Sequence, residues 1–242
     1  MDAMILAAGY GSRLRPLTDH TPKPLVEVAG VPVIEHVARR LIAAGADRII
    51  VNISHLAEAM EAYARERWNL DAELILSPEP TPPLGTGGGL AHARRHFRGD
   101  RPFFLHVGDV VTDLDLAAAM ADHRRSQALG TLLVQDRDAD RCLLFDERGL
   151  YGRDNRREGR ERTVREAAGA SRRWSFAGIH LLSPEVLDRI EETPPFDIID
   201  LYLRLASEGA AIRALDMTGV RWLEIGTPER LEAARRALES TP

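Results

Sequence analysis

The feature that most constrains this chain is its opening, where an unbroken apolar run from Met4 to Ala8 breaks into Gly9 and Gly11. A short apolar run ended by glycine reads as a strand buried on both faces, as in a parallel sheet covered by helices. Backbone without a Cβ can turn through φ > 0 and close its N–H groups around phosphate oxygens. Two cations, Arg13 and Lys23, follow ten residues apart. Pro32 then opens a helical stripe of Ile34, Val37, Ala38, Leu41 and Ile42, with Gly45 where a C-terminal cap belongs. Arg48 to Ile53 reads as a second strand, Leu56 to Trp68 as a helix and Glu73 to Ser77 as a third strand. This βαβαβ order predicts an α/β fold with a Rossmann-like, doubly wound, mostly parallel sheet and helices on both faces. Such sheets bind ligands beyond the carboxyl ends of their strands, which is where the glycine loop lies.

With 242 residues, 44% of them hydrophobic, the chain can bury a sizeable core, and one domain is the expectation. A net charge of −5 argues against a general nucleic-acid binder or a partner of acidic membranes, and leaves room for a local basic pocket that takes a small anion. The single cysteine, Cys142, excludes an internal disulfide framework and a cysteine-built zinc site. No apolar run approaches the roughly 20 residues that span a bilayer, and the N-terminus lacks the pattern of a cleavable signal. The expectation is a cytoplasmic protein with no membrane and no nucleic-acid partner, either monomer or homodimer.

The GxG of the first loop matches only part of the dinucleotide pattern GxGxxG, because Leu14 stands at the third glycine, and no GK[ST] follows as in a P-loop. The whole string GYGSRLRPLTDHTPKPL instead resembles the signature loop of the sugar-1-phosphate nucleotidyltransferases, roughly GxGxRLxPxT and then PKPL. Three later strings fit the same family. LGTGGGLAHA, after a segment 78–89 with four prolines and four glycines, resembles the loop that reaches over the nucleotide base. On composition that segment reads as a stiff arm with a flexible tip. FFLHVGDV ends a fourth strand, Phe103 to Val107, in Asp109, and WLEIGTPERL resembles WxDxGTPxxL with Glu224 in place of the usual aspartate.

The resemblance implies transfer of a nucleotidyl group from an NTP, UTP or GTP, to a hexose-type sugar 1-phosphate, with Mg²⁺ on Asp109 and Glu224. It implies nucleotide contacts from Leu6, Ala7, Ala8, Gly9, Gly11 and Ser12 and from Gly87 and Gly88, with Arg13 and Lys23 as the catalytic cations. Residues 1–110 would form mainly the nucleotide-binding half and 111–242 mainly the sugar-phosphate half. On the sugar side it implies Gly178 of SFAGIHLL, which admits a ligand for want of a side chain, and Glu166. The lysine that usually follows that glutamate is missing, since Ala167 occupies its place, and Arg165, Arg172 and Arg173 are the candidates to replace it.

Gly130 to Gln135 reads as a fifth strand, and Cys142 to Phe145 with Leu150 to Tyr151 as a hairpin. Arg153 to Arg173, rich in arginine and glutamate, reads as a solvated excursion from the sheet. Two other functions are kept open: a phosphocholine cytidylyltransferase, which the 5% aromatic content disfavours, and a non-catalytic binder of nucleotide sugars that regulates a partner.

Overall fold

A computed structural model describes residues 1–239. In chain order its elements are β1 (Asp2–Leu6), β2 (Glu27–Val28), β3 (Val31–Pro32), α1 (Val33–Ala43), β4 (Arg48–Ile53), α2 (Ala57–Glu66), β5 (Glu73–Pro78) and α3 (Gly85–Ala93). They continue with β6 (Phe103–Val107), β7 (Val110–Thr112), α4 (Leu116–Ser126), β8 (Gly130–Gln135), β9 (Arg141–Asp146), β10 (Gly149–Asn155) and β11 (Arg160–Thr163). The last are β12 (Arg172–Leu182), α5 (Glu185–Asp188), α6 (Ile198–Ser207), β13 (Ile212–Asp216), β14 (Trp222–Glu224) and α7 (Pro228–Glu239).

Among the described residues ten strands form one sheet, running β11-β10-β9-β12-β6-β1-β4-β5, with β8 joining β12 to β13. β1 lies between β4 and β6 and is parallel to both, with Met4 opposite Ile50 on one side and Leu105 on the other. The chain therefore winds one way from β1 to β4 and β5 and the other way to β6, and the crevice at that reversal opens beyond the carboxyl ends of β1 and β6. Antiparallel β12 borders the parallel half and carries the hairpin strands outward.

Both faces are buried. Ala3 and Ile5 of β1 join Ile34, Val37 and Leu41 of α1, Met60 of α2 and Met120 of α4 in one core. Met4, between them in sequence, faces the other way, toward Leu90 of α3 and Leu201 and Leu205 of α6. This explains why β1 reads as a continuous apolar run instead of an alternating one. A third cluster gathers Leu14 and Val26 from the signature loop with Ile225 of the closing motif and Leu231 and Ala234 of α7. Truncating a buried leucine such as Leu14 to alanine costs about 2–5 kcal/mol, so this cluster holds the two ends of the chain in register.

Two expectations are corrected. The glycine run is no flexible tip, because α3 begins at Gly85 and Gly87, Gly88 and Gly89 are buried helical residues. A Cβ on Gly87 would overlap the Phe196 ring, and one on Gly88 would come within 2.9 Å of the Leu84 Cβ. The glycines permit close packing. Nor is 153–173 only an excursion: Arg153 to Asn155 finish β10, which pairs with β11, and Arg172 and Arg173 begin β12. The charged composition reflects an edge strand exposed along its length.

Candidate active site

The crevice is a cleft of about 240 Å³ lined by Leu6, Ala7, Ala8, Gly9, Lys23, Asn52, Glu79, Gly85, Thr86 and Asp109 among others. β1 ends at Leu6, and the chain then crosses the cleft floor. Of the two loop glycines only Gly11 takes a positive φ, +64°, and a Cβ there would meet Thr18 Cγ2 at 3.0 Å. Thr18 Oγ1 donates to the Gly11 carbonyl (2.9 Å), which also accepts from Leu14 N–H (2.8 Å), and the short 3₁₀ turn Ser12–Leu14 follows. A Cβ on Gly9 would meet nothing within 4 Å, so that residue opens the floor without being sterically required.

A chain of buried and partly buried hydrogen bonds fixes this floor. Asn52, at the end of β4, accepts from Ala7 N–H (2.7 Å) and donates through Nδ2 to Glu79 Oε1 (2.6 Å). Glu79 Oε2 in turn accepts from Leu84 N–H (2.9 Å), closing the proline-rich segment just ahead of α3. Neither residue was a sequence candidate. The signal for Asn52 was a lone amide in the apolar strand RIIVNI, at the carboxyl end that lines the cleft; Glu79 had none.

Lys23 Nζ pairs with Asp109 Oδ2, and both are partly buried. Arg13 Nη2 lies 3.4 Å from Glu224 Oε1, and Arg230, in the first turn of α7, pairs with the other oxygen. The two carboxylates are set side by side by backbone: β14 is antiparallel to β7 with Glu224 opposite Val110, and Ile225 N–H donates to the Asp109 carbonyl (3.0 Å). Gly226 makes room, since a Cβ there would overlap the Glu224 carboxylate and approach Arg13 Nη2 to 2.7 Å. Under the floor, His106 of β6 is buried, and desolvation pushes its pKa down to about 4. The ring is neutral at pH 7.

The structure thus brings Arg13, Lys23, Asp109 and Glu224 together, with Leu6, Ala7, Ala8 and Gly9 lining the adjoining cleft. Gly87 and Gly88 do not line it: their N–H groups donate to the Phe196 carbonyl (3.1 and 3.5 Å), while Gly85 and Thr86 face the cavity. Gly178 has φ +79° at a register shift between Phe176 and His180, and a Cβ there would lie 2.5 Å from Val107 Cγ2. The positive φ at this bulge and the contact with Val107 both call for glycine. Glu166 is exposed, and its carbonyl accepts from Arg165 (3.1 Å). Among the described residues no three His, Cys, Asp or Glu side chains form a metal-binding group.

A glycine loop, two cations and two carboxylates thus meet at the switch point of the mixed sheet, the place where open α/β sheets take ligands. Residues 2–145 match the Nucleotidyl transferase family, and the chain belongs to that family. Relatives include the mannose-1-phosphate guanylyltransferase catalytic subunit beta of Drosophila pseudoobscura pseudoobscura, 37% identical over 94% of this chain but only 59% of its own length. The N-acetylmuramate alpha-1-phosphate uridylyltransferase of Caulobacter vibrioides is 32% identical over 98% of this chain and 96% of its own. The fold is shared with the UDP-glucose pyrophosphorylase of Acinetobacter baumannii (TM-score 0.78, 18% identity, 99% of this chain and 94% of that one). No helix among the described residues is long and apolar enough to cross a membrane.

Proposed function

We propose that the protein joins an NTP to a sugar 1-phosphate, forming an NDP-sugar and releasing pyrophosphate. The observation that carries this reading is the meeting of Arg13, Lys23, Asp109 and Glu224, drawn from three remote segments, at one end of the sheet. In the reaction an oxygen of the acceptor's phosphate attacks the α-phosphorus. A new P–O bond forms as the bond to the α,β-bridging oxygen breaks, and the electron pair leaves with pyrophosphate.

Both reactants are anions, so the protein's task is to neutralise charge and align, with no protein nucleophile. Arg13 takes the departing β,γ-phosphates through its planar guanidinium, and Lys23 takes the α-phosphate and the acceptor's phosphate. Backbone between Leu6 and Ser12 cradles the triphosphate, and the base sits against Gly85 and Thr86, where Gly87 and Gly88 let α3 come close. Gly178 and Glu166 belong to the acceptor side, in the 111–242 half. Two carboxylates plus substrate phosphates are the hard oxygen donors that suit Mg²⁺, which Asp109 and Glu224 would hold. That ion supplies charge neutralisation between the reacting phosphates. When NTP phosphates draw Lys23 and Arg13 away, Asp109 and one oxygen of Glu224 are freed to hold a cation, while the other oxygen stays with Arg230.

The guanylyltransferase and uridylyltransferase relatives support GTP or UTP with a hexose-type 1-phosphate. The test is pyrophosphate release, read as phosphate after pyrophosphatase, over four NTPs and a panel of sugar 1-phosphates with Mg²⁺. At least one pair should turn over. Silence throughout, together with ligand-induced thermal stabilisation, would point to a non-catalytic binder instead.

A further inference from the structure

The three arginines nearest the missing lysine are committed elsewhere. Arg165 makes a bidentate pair with Asp146 (2.5 and 2.7 Å), whose side chain is fully buried. Arg173 pairs with Asp154, and Arg172 lies over the Trp174 ring, 5.7 Å from its centroid. Arg137, in the loop after β8, is different. Its guanidinium lies over Trp222 at 3.9 Å from the ring centroid, and its Nε donates to Ser175 Oγ (2.8 Å). Among the described residues no carboxylate pairs with it. Burial and the charge of Arg230 both disfavour its ionised form and push its pKa down.

Trp222 and Glu224 are two residues apart on β14 and so share a face. Arg13, Arg230 and Arg137 therefore gather around the end of β14, three guanidiniums against the one carboxylate of Glu224. Among the described residues, a half-buried arginine with no counter-ion beside a second one whose acid is shared makes an unneutralised positive site at the edge of the four-residue cluster. Stacking on the indole and the bond from Nε fix the orientation of the Arg137 plane and leave its two terminal nitrogens for a bidentate oxyanion.

We propose that Arg137 and Arg230 form the subsite for the acceptor's phosphate, in place of the lysine that the family pattern carries. The identity of the anion rests on the nucleotidyltransferase reading; the cationic site does not. Calorimetric titrations of wild type, Arg137→Gln and Arg230→Gln would use mannose 1-phosphate, glucose 1-phosphate and N-acetylmuramate 1-phosphate, each beside its unphosphorylated sugar, with GTP and UTP as controls.

The expected result is a tenfold or greater loss of affinity for the sugar 1-phosphate in Arg137→Gln, with NTP affinity within twofold of wild type and partial recovery in Arg137→Lys. In turnover, KM for the acceptor should rise by more than kcat falls. Unchanged acceptor affinity in both glutamine variants would overturn the subsite, as would an equal loss for the unphosphorylated sugar. So would a wild type that binds NTP but no sugar 1-phosphate. Should Arg137→Gln fail to fold, Arg137→Lys and Arg230→Gln carry the same comparison. A wild type that binds the acceptor and releases no pyrophosphate with any pair would sink the enzymatic reading and leave the anion subsite standing.

Discussion

Glu224 stands where the family pattern has aspartate, and its extra methylene has a visible use. One carboxylate oxygen reaches Arg13 and the other Arg230, in space that only a glycine at 226 leaves open. Glu224→Asp shortens that reach. The Mg²⁺ concentration giving half-maximal pyrophosphate release should rise about tenfold, equivalent to ~1.4 kcal/mol, while thermal stabilisation by NTP without Mg²⁺ stays the same. An unchanged Mg²⁺ requirement would show that the glutamate's length is irrelevant to the ion. At this scale Arg13, Lys23, Asp109 and Glu224 could be named from the sequence because each sits in a local motif that resembles the family's, and the fold brings the four to one place. Asn52, Glu79 and Arg137 were not named, because each makes its contact with another segment: Asn52 with Ala7, Glu79 with Asn52, and Arg137 with Trp222. Arg230 went unnamed within the closing motif itself, where its partner Glu224 also lies.

At the scale of elements, α3 shows what composition alone misses. Gly87, Gly88 and Gly89 oppose helix propensity by roughly 1 kcal/mol each, yet the missing Cβ atoms of Gly87 and Gly88 let α3 lie against Phe196 and Pro194, and that of Gly89 leaves room for Asn52 and Glu79. The cost is local and the gain is tertiary, so a reading by propensity gave a mobile tip. Gly85 marks the helix start with φ +78°, and a Cβ there would press on the Phe196 carbonyl at 2.5 Å. Gly85→Ala should destabilise by about 1–3 kcal/mol in urea unfolding and raise KM for NTP several-fold. Gly209→Ala, at φ +87° in open space, meets no atom within 4 Å and should leave that KM untouched. Equal effects on KM would mean that the wall formed by α3 does not contact the nucleotide. β4, β6 and β8 came out of the sequence with the right limits because strands buried on both faces are mostly apolar along their length. β11 did not, because an exposed edge strand carries no such mark.

For the whole molecule, three buried histidines set a pH limit. Burial pushes His106 and His123 down to about 4 and His180 to about 3, all below the ordinary value near 6.5. Their surroundings differ: His106 Nδ1 donates to the Val107 carbonyl, His123 meets Thr131 Oγ1, and His180 shares a hydrogen bond with Tyr202 Oη. The unfolded chain takes up protons below about pH 6.5 that the folded chain refuses until about pH 4. Stability is thus full above pH 6.5 and falls as the pH drops through that window, by at most about 4 kcal/mol per pH unit if all three act together. Urea midpoints measured from pH 7 to 5 should fall, and His180→Gln should flatten the decline. A flat profile in the wild type would mean that these rings ionise in the folded state.

The same sheet that buries those rings holds the cations and acids at its switch point, and the account stands on that arrangement. Its most direct test is kcat for pyrophosphate release by Arg13→Ala and Lys23→Ala, with the active NTP and sugar 1-phosphate, set beside each variant's melting temperature. Removing either cation should lower kcat by about 10²–10³-fold and move the melting temperature by no more than a few degrees. Near wild-type turnover in both variants would contradict it.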